Sequence, residues 1–299
     1  MKREPIPLPK KSYSLLSLIT GSVVITISLL LLPGAWYIQT SFEDKLEIEK
    51  LEELNQINLS WASDVDRWLT DSKSSILRFS MLMSNLPESE NPDNVALFDT
   101  IVAPDEDGSF RSNRASFSPA SEAGIWIPKG PSLDSRTKNF FVQAKKVTQY
   151  FGQGALSNFE DTWILPRQGG IIIFWPDEPE WIYEATNDLD YASSQWITLT
   201  RPDRNPQGLP QLTRASYDPA PGVWMLSIIA PYYRKGKWAG AVGHDFPISG
   251  LARQMEGLKL HHGTTQFVIR RDGTLLISDQ FSEDIKASNG HFQIEDTHV

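Results

Sequence analysis

The sequence predicts an α+β protein: an N-terminal transmembrane helix, a long helix following it, an antiparallel sheet module, and the start of a second such module. Three observations predict it. No charge falls between Lys11 and Glu43. From Phe42 to about Leu86, apolar residues recur at three- and four-residue steps. Further on, short apolar runs alternate with Asp-Gly and Gly/Pro turns, which is how strands are punctuated. The 299 residues allow one large or two modest domains. With 22% charged and 40% hydrophobic residues, most of the chain is expected to fold. The expected boundaries are a tail over 1–12, a span over 13–38, a long helix over 43–86, a first module over 90–250 and the start of a second over 251–299.

The apolar centre runs from Leu15 to Leu32 and is closed by Pro33, Gly34, Ala35, Trp36, Tyr37 and Ile38. A bilayer core needs about 20 such residues as a helix. Trp36 and Tyr37 sit where an interfacial aromatic belt belongs. Lys2, Arg3, Lys10 and Lys11 precede the span, while Glu43, Asp44, Glu47 and Glu49 follow it. That bias puts the N-terminus in the cytoplasm and everything after about Ser41 outside. A cleaved signal peptide is the alternative. Its apolar core is usually about 7–15 residues and ends at a small-residue site, neither of which fits here.

In the long helix, Leu51, Leu54, Ile57, Trp61, Val65, Trp68, Ile76, Phe79 and Met83 mark one apolar stripe. At 1.5 Å per residue it would run roughly 60 Å, a spine for a domain or a seam for a homodimer. Two helices broken near Asn55 to Asn58 are the alternative. Pro87 and the polar segment to Asn94 end it.

Leu97 to Val102, the turn Asp105-Glu-Asp-Gly108 and Phe110 read as strand, turn, strand. Thr265 to Ile269, Arg271-Asp-Gly273 and Thr274 to Ile277 read the same way, either as two common hairpins or as a tandem of similar modules. Between them, Thr137 to Tyr150 reads as an amphipathic helix. Thr162–Leu165 and Gly170–Trp175 read as buried strands, and Val223–Ala230 with Lys237–Gly243 as an antiparallel pair. A half-buried sheet with helices on one side follows.

Composition excludes several functions. Net charge is −9 and no basic stripe occurs, so no nucleic-acid partner is expected. There is no cysteine, hence no disulfide, thiolate ligand or cysteine nucleophile. His261-His262 makes no metal pair, because neighbours on a strand point to opposite faces. Asp105-x-Asp107-Gly108 opens like a calcium loop, but Ser116 stands where the twelfth-position Glu belongs. Neither metal nor cofactor is expected. No Gly-x-Ser-x-Gly, His-Glu-x-x-His or phosphate-binding glycine loop is present, and no catalytic residue is assigned.

The run Thr213-Arg-Ala-Ser-Tyr217-Asp218-Pro219, then Gly222-Val-Trp224 through Ser227 to Pro231-Tyr232, then Lys237 to Val242-Gly243-His-Asp245 and Leu251, resembles double Cache sensor domains over roughly 43–299. The resemblance implies PAS-like modules, the membrane-distal one binding a small molecule. A proximal module and a second span would relay the signal to a histidine kinase, diguanylate cyclase or chemoreceptor output. It also implies an inner-membrane protein of a bacterial signalling system. The chain departs from the amino-acid-binding members at Asp134-Ser-Arg136-Thr-Lys-Asn139-Phe140, which lacks their Trp-Tyr pair. An organic acid or an amine is the expected ligand class. With 48 residues after Leu251, the chain reads as the front of a longer receptor or as a truncated one.

The resemblance makes Asp245 a ligand-contacting carboxylate. A strand-end carboxylate can hold an ammonium or hydroxyl, or can instead cap a helix starting near Ile248. Tyr217 and Asp218 line the same pocket or form an ordinary turn. Trp181, Tyr183 and Trp196 are pocket walls or plain core. Arg201, with Arg204, is a carboxylate clamp or part of a solvated loop. Two further functions compete with sensing: an anchored hydrolase, and a scaffold that uses the long helix for partner contact.

Overall fold

The computed structural model describes residues 15–218, 223–248, 265–278 and 280–297. Helix α1 runs unbroken over Leu15–Ser84 with Pro33 inside it, so the apolar span and the long helix are one element. Its residues separate into two units that divide at Ser63 and Asp64. In the first unit Val23, Val24, Ile25, Ile27, Leu29, Leu31, Leu32, Trp36, Tyr37 and Ile38 are exposed, as lipid-facing side chains would be. By length and composition this is the one candidate span among the described residues.

The second unit, Asp64–Val299, is built on a nine-stranded antiparallel sheet. Its strands are β1 (Val102–Pro104), β2 (Phe110–Ser112), β3 (Gly124–Ile127), β4 (Thr162–Pro166), β5 (Ile171–Phe174), β6 (Gln211–Leu212), β7 (Ser216–Asp218), β8 (Val223–Arg234) and β9 (Lys237–Pro247). The order is β1-β2-β3-β5-β4-β9-β8-β6, with β7 also pairing β8. The α+β reading of the sequence holds. The expected β8–β9 hairpin is the longest ladder, turning at Lys235 and Gly236, both with positive φ.

Strand alternation gives the sheet two faces. On one, Ile164, Ile172, Phe174, Val242 and Phe246 meet α1 and α3 (Ser135–Ala155), which spans the predicted helix 137–150. Phe79 of α1 stacks on Phe151 of α3 at 4.8 Å, and Trp68 meets Phe246 edge-on at 4.6 Å. Gly152 lets α3 close on β5, since a Cβ there would lie 2.6 Å from the Phe174 ring. The opposite face carries Trp126, Trp163, Leu165, Ile171, Ile173, Met225, Ile229 and Ala241. It is covered by the irregular chain 175–215 with two short helices, α4 (Trp181–Glu184) and α5 (Gln195–Thr198).

One segment differs from its sequence reading. Leu97 to Ile101 is helical, the end of α2 (Pro92–Ile101), and only Val102 begins a strand. The Asn91 side chain accepts the Asp93 N–H at 3.0 Å and Pro92 fills the first turn, so a strong helix start overrides the β-branched run behind it. The second hairpin is a sheet of its own, β10 (Phe267–Ile269) with β11 (Leu275–Ser278), followed by α6 (Ser282–Ala287). Arg270 ties it to β6 by donating from Nη1 to the Leu212 carbonyl at 3.0 Å. His261, His262 and the helix start expected near Ile248 fall on or beside residues 249–264, which lie outside the described residues.

Candidate functional site

The site is built on the face covered by 175–215. Register sets Ser227 of β8 opposite Asp245 of β9. Trp196 of α5 reaches down to them, its indole Nε1–H donating to Ser227 Oγ at 2.8 Å. Ser227 is held in turn by Thr213, whose Oγ1 accepts the Ser227 N–H at 2.9 Å. Trp163 lies across β9 at Gly243, where a Cβ would sit 2.1 Å from the indole. Any side chain at 243 would evict that ring, so the position requires glycine. Trp126, Tyr191, Trp196 and Trp163 then follow one another at 6.2–6.3 Å, the two end pairs edge to face and the middle pair tilted.

Asp245 is buried, 7% exposed, beside a second buried carboxylate, Asp161, 2% exposed. Asp161 Oδ1 accepts the Asp245 backbone N–H at 3.1 Å, and the Glu160 N–H donates to the Asp245 carbonyl at 3.0 Å. Asp161 thus fixes the strand that presents Asp245. Sequence reasoning did not single out Asp161 or Ser227 as site residues. The first lies 84 positions from its partner and only the β4–β9 pairing joins them.

The other predicted residues are distributed unevenly. Trp181 and Tyr183 pack with α4 on the same aromatic layer as Trp196. The Tyr183 hydroxyl donates to the Ser112 carbonyl at 3.0 Å, the Arg114 guanidinium lies 3.8 Å over its ring, and burial pushes its phenol above the ordinary value. Tyr217 lies elsewhere: paired with Trp224 on an edge strand, half exposed, it sits on the face opposite Asp245. Asp218 pairs with Val223 in register. Arg136 and Asn139 open α3 on the helix side of the sheet, away from the aromatic layer.

Arg201 lines a cleft of about 730 Å³ at the β4–β5 and β8–β9 turns. Leu165, Ile197, Tyr191 and Trp238 form its apolar wall, and Arg167, Arg201 and Lys237 its cationic rim. Arg167 also leans over Trp238 at 5.9 Å, and Arg201 pairs with Asp203 at 3.1 Å. Arg167 and Lys237 were not among the residues singled out from sequence. The Asp105–Asp107 turn is used structurally. Arg111, 6% exposed, binds Asp105 at 2.5 Å and Asp107 at 2.9 Å, and donates to the carbonyls of Ile182 and Ala185 at 2.5 and 2.8 Å. It pins α4 to the sheet. Among the described residues no cluster of His, Asp or Glu has the makings of a metal site.

No protein-family model matches the chain, and no curated protein matches it. Solved structures do. The ligand-binding domain of Pseudomonas aeruginosa chemoreceptor PctC in complex with GABA is 13% identical, with a TM-score of 0.48 over 83% of this chain and 81% of that one. The domain of Campylobacter jejuni chemoreceptor Tlp3 with L-norvaline is 14% identical, with a TM-score of 0.46 over 77% of this chain and 70% of that one. The domain of Pseudomonas fluorescens CtaA with L-serine is 18% identical, with a TM-score of 0.37 over 49% and 56%. These structures are ligand-binding domains of bacterial chemoreceptors.

Proposed function

We propose that the chain is a membrane-anchored, extracytoplasmic sensor that binds a small organic acid on the face covered by 175–215. It would be the N-terminal part of a signal-transduction receptor with a kinase, cyclase or chemoreceptor output. The observation that carries this is the 730 Å³ cleft with its apolar wall and three-cation rim, well above the roughly 300 Å³ a small-molecule site needs. An acid group meets Arg167, Arg201 and Lys237 there, while the hydrocarbon part lies on Tyr191 and Trp238. The scaffold reading has no use for such a cleft. Because the sheet's other face rests on α1, a shift in α5 or the β8–β9 turn would be passed through the sheet to that helix.

The buried Asp161–Asp245 pair supports a second ligand chemistry, an amine, at the other end of the face. Eight residues of extended β9, roughly 26 Å, separate Lys237 from Asp245, so one small molecule does not touch both. The test is thermal unfolding of the detergent-solubilised full chain against a panel of organic acids and amines. A saturable rise in Tm with an acid, lost in an Arg201→Gln/Lys237→Gln variant of unchanged apo Tm, supports the cleft. A rise with an amine, lost in Asp245→Asn, moves the site to the carboxylates. No saturable rise with either class removes the sensor reading.

A further inference from the structure

On the helix side of the sheet, at the end where the β8–β9 hairpin turns, α1 stops and α3 starts. Between them lies a second cavity of about 350 Å³, lined among others by Glu88, Arg136, Tyr232, Arg234 and Lys235. We infer that this cavity is a second, separate binding site for a small oxyanion, a carboxylate or a phosphate, held by Tyr232, Arg234, Arg136 and Lys235.

The argument starts with Tyr232. Its side chain is completely buried, its ring lying over Gly240, where a Cβ would come within 2.9 Å of it. Its hydroxyl has no hydrogen-bonding partner among the described residues, although Tyr232 lines the cavity. A buried hydroxyl without a partner is costly, and such groups are rare outside sites that supply one. Arg234 repeats the pattern. Its guanidinium lies 5.4 Å over Phe140 and Nη2 donates to the Pro87 carbonyl at 3.5 Å, while buried Nη1 has no partner among the described residues. Two donors of this kind on one cavity wall, one of them cationic, call for an acceptor with several oxygens.

The charge around them agrees. Three cations line the cavity against one carboxylate, Glu88. That carboxyl is held below its ordinary value by the hydrogen bond from Lys235, with Arg234 and Arg136 adding to the effect, so the cavity already stabilises an anion. Lys235 Nζ lies 2.5 Å from Glu88. Two further carboxylates stand nearby: Glu90, 3.8 Å from Arg136, and Asp134, which caps the Thr137 N–H of α3. Because Asp134 occupies the helix end, the site rests on side chains rather than on the helix dipole.

The probes are inorganic phosphate and succinate, titrated calorimetrically into the detergent-solubilised full chain at ionic strength held constant with chloride. One of them should bind saturably, and which one decides between phosphate and carboxylate. Tyr232→Phe should weaken binding about tenfold or more, since it deletes one hydrogen bond to a charged acceptor. The same variant should keep or raise the apo Tm, because the hydroxyl it removes has no partner among the described residues. Glu88→Gln should strengthen binding several-fold by freeing Lys235. Failure of both probes to bind saturably overturns the proposal, as does equal affinity in Tyr232→Phe. Loss of binding in the Arg201→Gln/Lys237→Gln variant would also overturn it, by placing the anion across the sheet in the other cleft. The cleft reading fails separately, through the Tm panel on those two residues.

Discussion

The two faces of the sheet are closed by different means. On the helix side, α1 and α3 lay regular rows of side chains onto Ile164, Phe174 and Phe246, and the contact is ring on ring. On the other side, irregular chain covers an aromatic layer and is held by single side chains reaching to backbone or hydroxyl partners: Arg111 to Ile182 and Ala185, Trp196 to Ser227, Tyr183 to Ser112. Both sides bury apolar area, but on the covered side a few side-chain bonds decide where the irregular chain sits. A surface that has to admit a ligand is better made the second way, because few contacts need to give.

The largest expected effect tests the dense face. Phe79 is fully buried between α3 and the sheet, so Phe79→Ala should cost about 4 kcal/mol, read as a lowered denaturant midpoint of the full chain. A loss below about 1 kcal/mol would show that α1 is only loosely seated.

The next test is pH. His244 is fully buried on the helix side, its ring stacked on Phe159 at 4.2 Å. Its Nδ1 lies 2.9 Å from Thr162 Oγ1 and its Nε2 3.3 Å from Ser75 Oγ. Burial pushes its pKa down to about 4. The unfolded chain therefore takes up this proton near pH 6.5 and the folded chain only near 4. The stabilisation is complete above about pH 6.5 and is lost as pH falls towards 4, about 3 kcal/mol in all. Unfolding curves at pH 7 and pH 5 should show the fall, and His244→Gln should flatten it. An unchanged slope in the variant would assign the dependence to other groups.

How much of this was legible follows the same division. The apolar stripe of α1, the period of α3 and the runs in β4, β5, β8 and β9 are local patterns, and each became the element it predicted. The start of α2 was missed because its signal, Asn91-Pro92, lies ahead of the run Leu97 to Val102 that was read as strand. On the covered face the sequence showed an Asp-x-Asp-Gly turn, but nothing local says that Arg111 spans both aspartates and two carbonyls more than 70 residues away. Asp245 was marked by its motif; Asp161, which holds it, is visible only once β4 lies beside β9.

Arg111 is the sharper probe of the covered face. Arg111→Gln leaves Asp105 and Asp107, both partly exposed, able to turn to water, so the loss should be about 2 kcal/mol rather than that of a fully buried pair. Limited proteolysis of the variant should cut within 175–195 before any site in α3. Cleavage in α3 first would mean that the covered face is not held by this residue.

The smallest effect lies at Trp196. Trp196→Phe keeps most of the ring against Trp163 and Tyr191 but deletes the bond to Ser227 Oγ, which sits opposite Asp245. A neutral hydrogen bond is worth about 1 kcal/mol, so the apo midpoint should fall only slightly. The response to ligand should change more than the stability does, because α5 also supplies Ile197 to the cleft wall and would be less firmly seated. A larger fall in apo stability with an unchanged ligand response would mean that the aromatic layer is packing alone. The two faces would then differ in construction without differing in role.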